Sequence, residues 1–395
     1  MQYFLILTLI LAPTYAIRFK FLSFPANLLM IWVFLFWLSF AVWLLAKKKL
    51  STFLTAVKNA DRKILRLTGL FFLSGVISLF TGGIDRAKLG QFIVIFLQPI
   101  LTFFIAGFII KQNQNTKYYI INTIYFLLAL AGIYALIQYF TLWGLPAAWW
   151  GNSIEPKRAL SFFAHPNFYA LWCAPLLAFL IPDIFPKIKN EDSKIRDRIY
   201  PVAWLLGAAG LLFSLSRAGW LGLAAAIGIY TLVVADKKIR RMILGGIIVI
   251  AIVIIAVPNL RWRFILPFYG EKSATSRVEL WGDGFTAIKE SPIFGLGLNG
   301  FAYKYEALNS DPTLDTHNFP HNIFLNFWVE TGLLGLISFI YLTWLYIYRG
   351  LKNRGNLFAL GVSLFLIAMV FQGLVDNPYF KNDLALVFWT ILAMF

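Results

Sequence analysis

The sequence predicts an all-α polytopic membrane protein of about twelve transmembrane helices, with one long, partly helical loop outside the membrane. Three observations carry that expectation. Of the 395 residues, 60% are hydrophobic and only 13% are charged, too apolar a balance for a soluble globular chain. The apolar residues gather into runs of a length suited to a hydrocarbon core of about 30 Å. The Lys and Arg residues behind a formal net charge of +17 lie in short loops between those runs, as in cytoplasmic loops, so the charge does not indicate nucleic acid. No gap is large enough for an independent soluble domain, and residues 1–395 read as a single integral membrane domain.

In order, the runs cover residues 4–16, 27–46, 64–81, 89–110, 118–140, 168–185, 200–215, 220–234, 242–257, 322–348, 357–375 and 384–395. The first ends in small residues but lacks the basic start of a signal peptide, so it reads as a retained span. Basic segments beginning at Lys47, Lys111, Lys187, Lys237 and Arg349 fall on one side if every run crosses once. That side is cytoplasmic by the positive-inside rule, and both termini are then inside. The outer face receives the loops near Ser153 and Arg217, a long external loop at residues 259–320, and the turn at 376–383. Within the long loop an amphipathic helix is expected, with Val278, Trp281, Phe285 and Ile288 on one face. A loop of this length with its own helix is more often functional than filler. Cys173 is the one cysteine and lies in an apolar run, which excludes an internal disulfide or a cysteine metal site.

Three residues on the outer face have chemistry to offer. Pro320 suits a first helical turn and places His321 at the open end of an apolar helix. His321, Leu325, Trp328, Gly332 and Gly335 then share one stripe, whose glycines admit a neighbouring backbone. An imidazole exchanges a proton near neutral pH; the plain alternative is a histidine that caps a span. Arg217 stands between two closely spaced runs, where an arginine costs up to about 2.5 to 3.5 kcal/mol at a helix centre unless an anion offsets it. Arg277 opens the loop helix, and its planar fork suits diphosphate oxygens. Alternatively Arg217 snorkels to headgroups, and Arg277 pairs with Glu279 or Asp283.

Taken together, these residues point to an anionic, lipid-borne substrate. His165 is read as starting a span in the same manner as His321, with Arg158 upstream as a further phosphate contact. Glu330, about 13 Å further along the helix from His321 and on its opposite face, reads as a structural pair or a protonated acid. There is no nucleotide-binding glycine loop, no zinc helix, no evident acidic metal site and no carboxylate pair spaced for glycoside hydrolysis. No metal and no cofactor are expected.

The spacing of these residues resembles the O-antigen ligase superfamily, which also contains O-antigen polymerases and some protein O-oligosaccharyltransferases. His321-Asn322, nine residues, then Gly332 and Gly335 fit its histidine motif, and Arg217 with Leu221 fits its arginine motif. The run from Arg277 through Trp281, Pro292, Gly295, Gly297 and Phe301 is similar to the family's large periplasmic loop. His317-Asn318 does not fit, since no glycine follows at the required spacing. The resemblance covers the second half of the chain well and the first half by its pattern of spans.

The resemblance implies a metal-independent, inverting glycosyltransferase in the bacterial cytoplasmic (inner) membrane, with its active site facing the periplasm or outside. The donor would be an undecaprenyl-diphosphate-linked glycan, and the acceptor a hydroxyl of lipid A-core, of another glycan or of a protein. Membrane lipids would be its surroundings, and nucleic acid is not a partner. Arg217 and Arg277 would hold the diphosphate and His321 would take the acceptor proton, with Arg158, His165 and Asn322 secondary. A ligase is preferred, because the ten-residue spacing to glycine associated with polymerase arginines is not met at Arg277, where Ile288 stands. Arg217 does meet it with Gly228. A non-catalytic transporter of the same lipid would want the arginines but no base, and would show similarity between its halves, which is not seen.

Overall fold

A computed structural model describes residues 1–21, 24–152, 155–189, 195–266, 272–308 and 319–395. Ser153, His317 and the rest of 309–318 lie outside the described residues. In chain order the first helices are α1 (Gln2–Ile10), α2 (Leu28–Ala46), α3 (Leu50–Lys58), α4 (Arg62–Phe80), α5 (Arg86–Phe92), α6 (Gln98–Gln112), α7 (Asn115–Thr141), α8 (Pro166–Phe179) and α9 (Ile181–Lys189). They are followed by α10 (Ile195–Phe213), α11 (Arg217–Val233), α12 (Lys237–Ala256), α13 (Pro258–Ile265), α14 (Lys272–Glu290), α15 (Gly300–Leu308), α16 (Ile323–Lys352), α17 (Leu357–Gly373) and α18 (Asn382–Leu392). An antiparallel hairpin, β1 (Arg18–Phe21) and β2 (Phe24–Asn27), precedes α2, with Arg18 opposite Asn27.

Among the described residues, six helical stretches are long and apolar enough to cross a membrane: α2, α4, the continuous Arg86–Gln112, α7, α12 and α16. Four shorter apolar helices accompany them: Arg198–Phe213 within α10, α11, α17 and α18. The protein is therefore a membrane protein built of helices. The first apolar run is interrupted. Its α-helix stops at Ile10 and a 3-10 turn, Ala12–Ala16, follows, because Pro13 has no N–H with which to continue the ladder.

The chain forms two compact units. One comprises Met1–Ile120, Val278–Tyr346 and Gly373–Phe395; the other comprises Ile121–Arg277 and Ile347–Gln372. The core of the first is aromatic, with Phe327 stacked on Phe339 at 4.2 Å between centroids and Tyr379 edge-on to Phe71 at 5.7 Å. Its polar thread has a single cause. Pro99 cannot donate to the carbonyl of Ile95, four residues back, and a π turn, Ile93–Leu97, occupies this stretch. The Tyr379 hydroxyl donates to that orphaned carbonyl at 2.9 Å and receives the Trp389 indole N–H at 2.9 Å. A buried acceptor is thereby satisfied, and the loop between α17 and α18 is tied to the core.

The second unit is packed by small residues. Nearly all of α8 is buried, and a Cβ on Gly132 or Gly222 would overlap the backbone of Leu206 or Ala368 respectively. Close backbone approach of this kind is what holds helices together where hydrocarbon surrounds them.

Candidate active site

The expectation that His321 sits on the first turn of its helix is corrected. The helix begins at Ile323, and Asn322 is its cap, with Oδ1 accepting from the backbone N–H groups of Phe324 and Leu325, each at 3.0 Å. A short amide is a much better N-cap than an imidazole, and the cap contributes about 1 kcal/mol. His321 is left one residue outside, in the left-handed region at φ 48°. It is therefore not part of the expected stripe.

Asn322 also donates through Nδ2 to the carbonyl of Leu374 at 3.0 Å. One side chain thus starts α16 and pins the loop that follows α17. Tyr379 pins the far end of the same loop, and between these two anchors Asp376 meets the histidine. His321 Nδ1 and Asp376 Oδ1 are 3.1 Å apart, and Asp376 is buried at 4% exposure. The backbone N–H of Asn377 also reaches Oδ1, at 2.9 Å. A carboxylate oxygen can only accept, so in this pair the proton belongs on Nδ1, and the neutral ring presents Nε2 as its acceptor. That is the arrangement of a base with an orienting partner.

The motif glycines position the external loop. Gly332 breaks the helix with φ 64° and ψ −169°, and a side chain there would overlap the Ile293 carbonyl oxygen. Loop backbone fills the break: Leu333 N–H donates to Ile293 O at 2.9 Å and Leu296 N–H to Val329 O at 2.7 Å. The Trp328 indole donates to Pro292 O at 2.8 Å. At Gly335 the close neighbours are Thr331 and, from α4, Ser74.

The loop helix exists as α14, and of its expected face Ile288 is buried and Trp281 packs against the same cluster, whereas the rest of the buried face differs. Leu280, Ala287 and Ile288 are buried with Leu325 and Val329, whereas Val278 and Phe285 are 65% and 56% exposed. The missing side chain of Gly284 selects the face, because Leu325 and Pro320 approach its Cα. Hydrophobic periodicity gives a glycine no weight and therefore misplaces the stripe.

Glu330 is fully buried. Its Oε2 accepts from Gln91 Nε2 at 3.1 Å and from the backbone N–H of Asn299 at 3.0 Å. It is a structural anchor joining α16, α5 and the external loop.

The arginines belong to the other unit. Arg217, half-buried, is the first residue of α11, at the positive end of the helix dipole. The turn before it is held by two further guanidinium groups: Arg158 Nε donates to Ser214 O and Arg263 Nε to Leu215 O, both at 3.0 Å. Arg263 is only 7% exposed. Two guanidinium groups thus hold the turn that leads into Arg217 at the helix start, a setting fit for a phosphate. Arg158 also reaches Asn167 Oδ1 at 2.6 Å, and His165 caps α8 by accepting from Asn167 N–H at 3.0 Å through Nδ1. Arg277 is half-buried on α14.

The structure thus brings His321 and Asn322 together in one unit, and Arg217, Arg158 and His165 near one another in the second. Asp376 and Arg263 were not singled out from the sequence. Their signal was position, since both lie in segments expected on the outer face. Among the described residues no cluster of three or more His, Cys, Asp or Glu side chains suited to a metal ion is present.

Residues 202–340 match the O-antigen ligase family, a stretch holding both the arginine and the histidine motifs. The chain is 30% identical over 171 residues to an uncharacterized protein of Haemophilus influenzae, covering 38% of this chain and 43% of that one. It is 23% identical over 358 residues to the teichuronic acid biosynthesis protein TuaE of Bacillus subtilis, covering 84% and 70%. It is 30% identical over 214 residues to the exopolysaccharide production protein ExoQ of Rhizobium meliloti, covering 47% and 48%. The match spans less than half the length of two of these three relatives. Residues 202–340 thus carry a stretch similar to the O-antigen ligase family, and it holds the residues whose geometry is described above.

Proposed function

We propose that this protein transfers a glycan from an undecaprenyl-diphosphate carrier to an acceptor hydroxyl on the outer face of the bacterial inner membrane, as an O-antigen ligase whose acceptor is lipid A-core. The observation that carries the reading is the His321–Asp376 pair, which leaves Nε2 as the acceptor of a proton. In the reaction the acceptor hydroxyl gives its proton to Nε2 while its oxygen forms a bond to the anomeric carbon from the face opposite the carrier. The bond from that carbon to the diphosphate breaks with its electron pair, and the configuration inverts. Arg217 and Arg277 stabilise the charge released on the diphosphate, which is already a good leaving group and needs no protonating carboxylate. No metal enters any step. The proton on His321 passes to water. In this reading the chain crosses about twelve times with both termini inside, and the 259–320 loop lies outside.

A second reading has a specific observation behind it. TuaE and ExoQ are named for teichuronic acid biosynthesis and exopolysaccharide production, which favours a polymerase whose acceptor is another lipid-linked repeat. The test is the product formed by the purified chain in proteoliposomes with EDTA, given the lipid-linked donor and either acceptor. A new glycosidic bond on lipid A-core supports the ligase, and one on a second repeat supports the polymerase. Passage of the donor across the bilayer without any new bond contradicts both.

A further inference from the structure

The first unit holds a cavity of about 570 Å³, within the range of small-molecule sites. We propose that it is a subsite for the neutral terminal sugar of the acceptor glycan, an inference that rests on the function proposed above.

Its lining supplies the argument. The amides Asn27, Gln91, Asn299 and Asn382 border it, and among the described residues no charged side chain does. A diphosphate or a carboxylated sugar would be left there without a counter-charge, at a cost of several kcal/mol. A neutral polyol is not penalised in this way, because amides both donate to and accept from hydroxyls. Phe19, Phe319 and Phe380 complete the wall, offering apolar surface for the C–H face of a sugar ring. An acyl chain would leave four amides facing hydrocarbon.

The amides are held in place. Gln91 gives its Nε2 to Glu330, and its buried Oε1 has no hydrogen-bond partner. Asn299 has its backbone fixed by the same carboxyl group, at φ 58°. Lys88, one residue from Ala87 on the rim, is 3% exposed and spends its ammonium on the carbonyls of Thr81, Gly82 and Gly83, at 3.0 to 3.2 Å. It thereby caps the end of α4 and is not among the residues that line the cavity. Asp85 and Tyr303 fasten this corner, the hydroxyl donating to Oδ2 at 3.0 Å. The Lys88 N–H at the helix start, with Tyr303, holds the Asp85 carboxyl below the usual carboxylate range.

Position identifies the occupant as acceptor. Phe319 lies two residues before His321 and Phe380 four after Asp376, and their rings are 6.2 Å apart. The wall of the cavity is thus made by the two segments that carry the proposed base and its partner. The arginines proposed for the donor belong to the other unit.

The test uses the full chain in proteoliposomes, with Ala87→Trp to fill the cavity and Asn382→Leu to remove one amide. Each variant is first checked for monodispersity and an unchanged Tm. The acceptor KM is expected to rise about tenfold or more, with the donor KM and kcat within about twofold, and Asn382→Gln should recover most of the loss. An unchanged acceptor KM, or a rise in the donor KM instead, overturns the assignment. Ala87→Cys gives a readout independent of turnover, because Ala87 is exposed and Cys173 is fully buried. Maleimide labelling should slow at least about fivefold with the neutral oligosaccharide released from the acceptor glycolipid and not with inorganic pyrophosphate. Protection by a detergent acyl chain alone overturns the proposal. Protection without any transfer by the wild-type chain would keep the sugar site and refute the transferase.

Discussion

His321 Nδ1 and Asp376 Oδ1 meet at 3.1 Å although 55 residues separate them along the chain. Two anchors make this contact reproducible: Asn322, which caps α16 and holds Leu374 O, and Tyr379, which answers the carbonyl that Pro99 leaves unpaired. The histidine motif is thus a structural device, since its asparagine holds the loop whose carboxylate meets its histidine.

Asp376→Ala removes both the charge and the hydrogen bond that fix the tautomer of His321. Its kcat is expected to fall about 10² to 10³-fold with little change in the KM for either substrate. Asp376→Asn keeps an oxygen that can accept from Nδ1 and should lose less. Equal KM increases in both variants, with kcat preserved, would make Asp376 a binding residue instead.

Gly332→Ala tests the docking of the external loop. The alanine Cβ would overlap Ile293 O in a backbone conformation that L residues avoid, so the Leu333–Ile293 and Leu296–Val329 hydrogen bonds cannot both persist. Faster amide exchange over 291–299, with α8 unchanged, is the expected result. Unaltered exchange in the loop would mean that the break in α16 does not hold it.

Much of this was legible in the sequence. Long apolar runs anticipated the helices, and the resemblance to the family's motifs singled out His321, Arg217, Gly332 and Gly335, whose chemical roles are proposals. What escaped depends on contacts between distant segments. Asp376 and Arg263 acquire their roles only when their segments fold against His321 and Leu215. On α14 Trp281 and Ile288 face the core as expected, but close approach at Gly284 outweighed the pull of Val278 and Phe285. The helix expected to start near Pro320 starts at Ile323, three positions later, because Asn322 takes the cap. His165 does begin a span, as the cap of α8, and Arg158 secures the turn before α11.

Arg217 and Arg277 are proposed to hold the donor diphosphate, so Arg217→Ala and Arg277→Ala should each weaken donor binding and lower turnover together. Arg277→Lys should recover part of the activity, since an ammonium keeps the charge but loses the bidentate fork. Binding of donor in nanodiscs checks this, and undiminished donor affinity in both alanine variants would remove them from the diphosphate site.

The most direct measurement is the rate of glycosidic bond formation by His321→Ala, with donor retention measured on the same preparation. If His321 takes the acceptor proton, the rate falls by about two to four orders of magnitude while the lipid-linked glycan is still retained. Transfer at near the wild-type rate would show that His321 only supports the start of α16, and the proposed mechanism would be wrong.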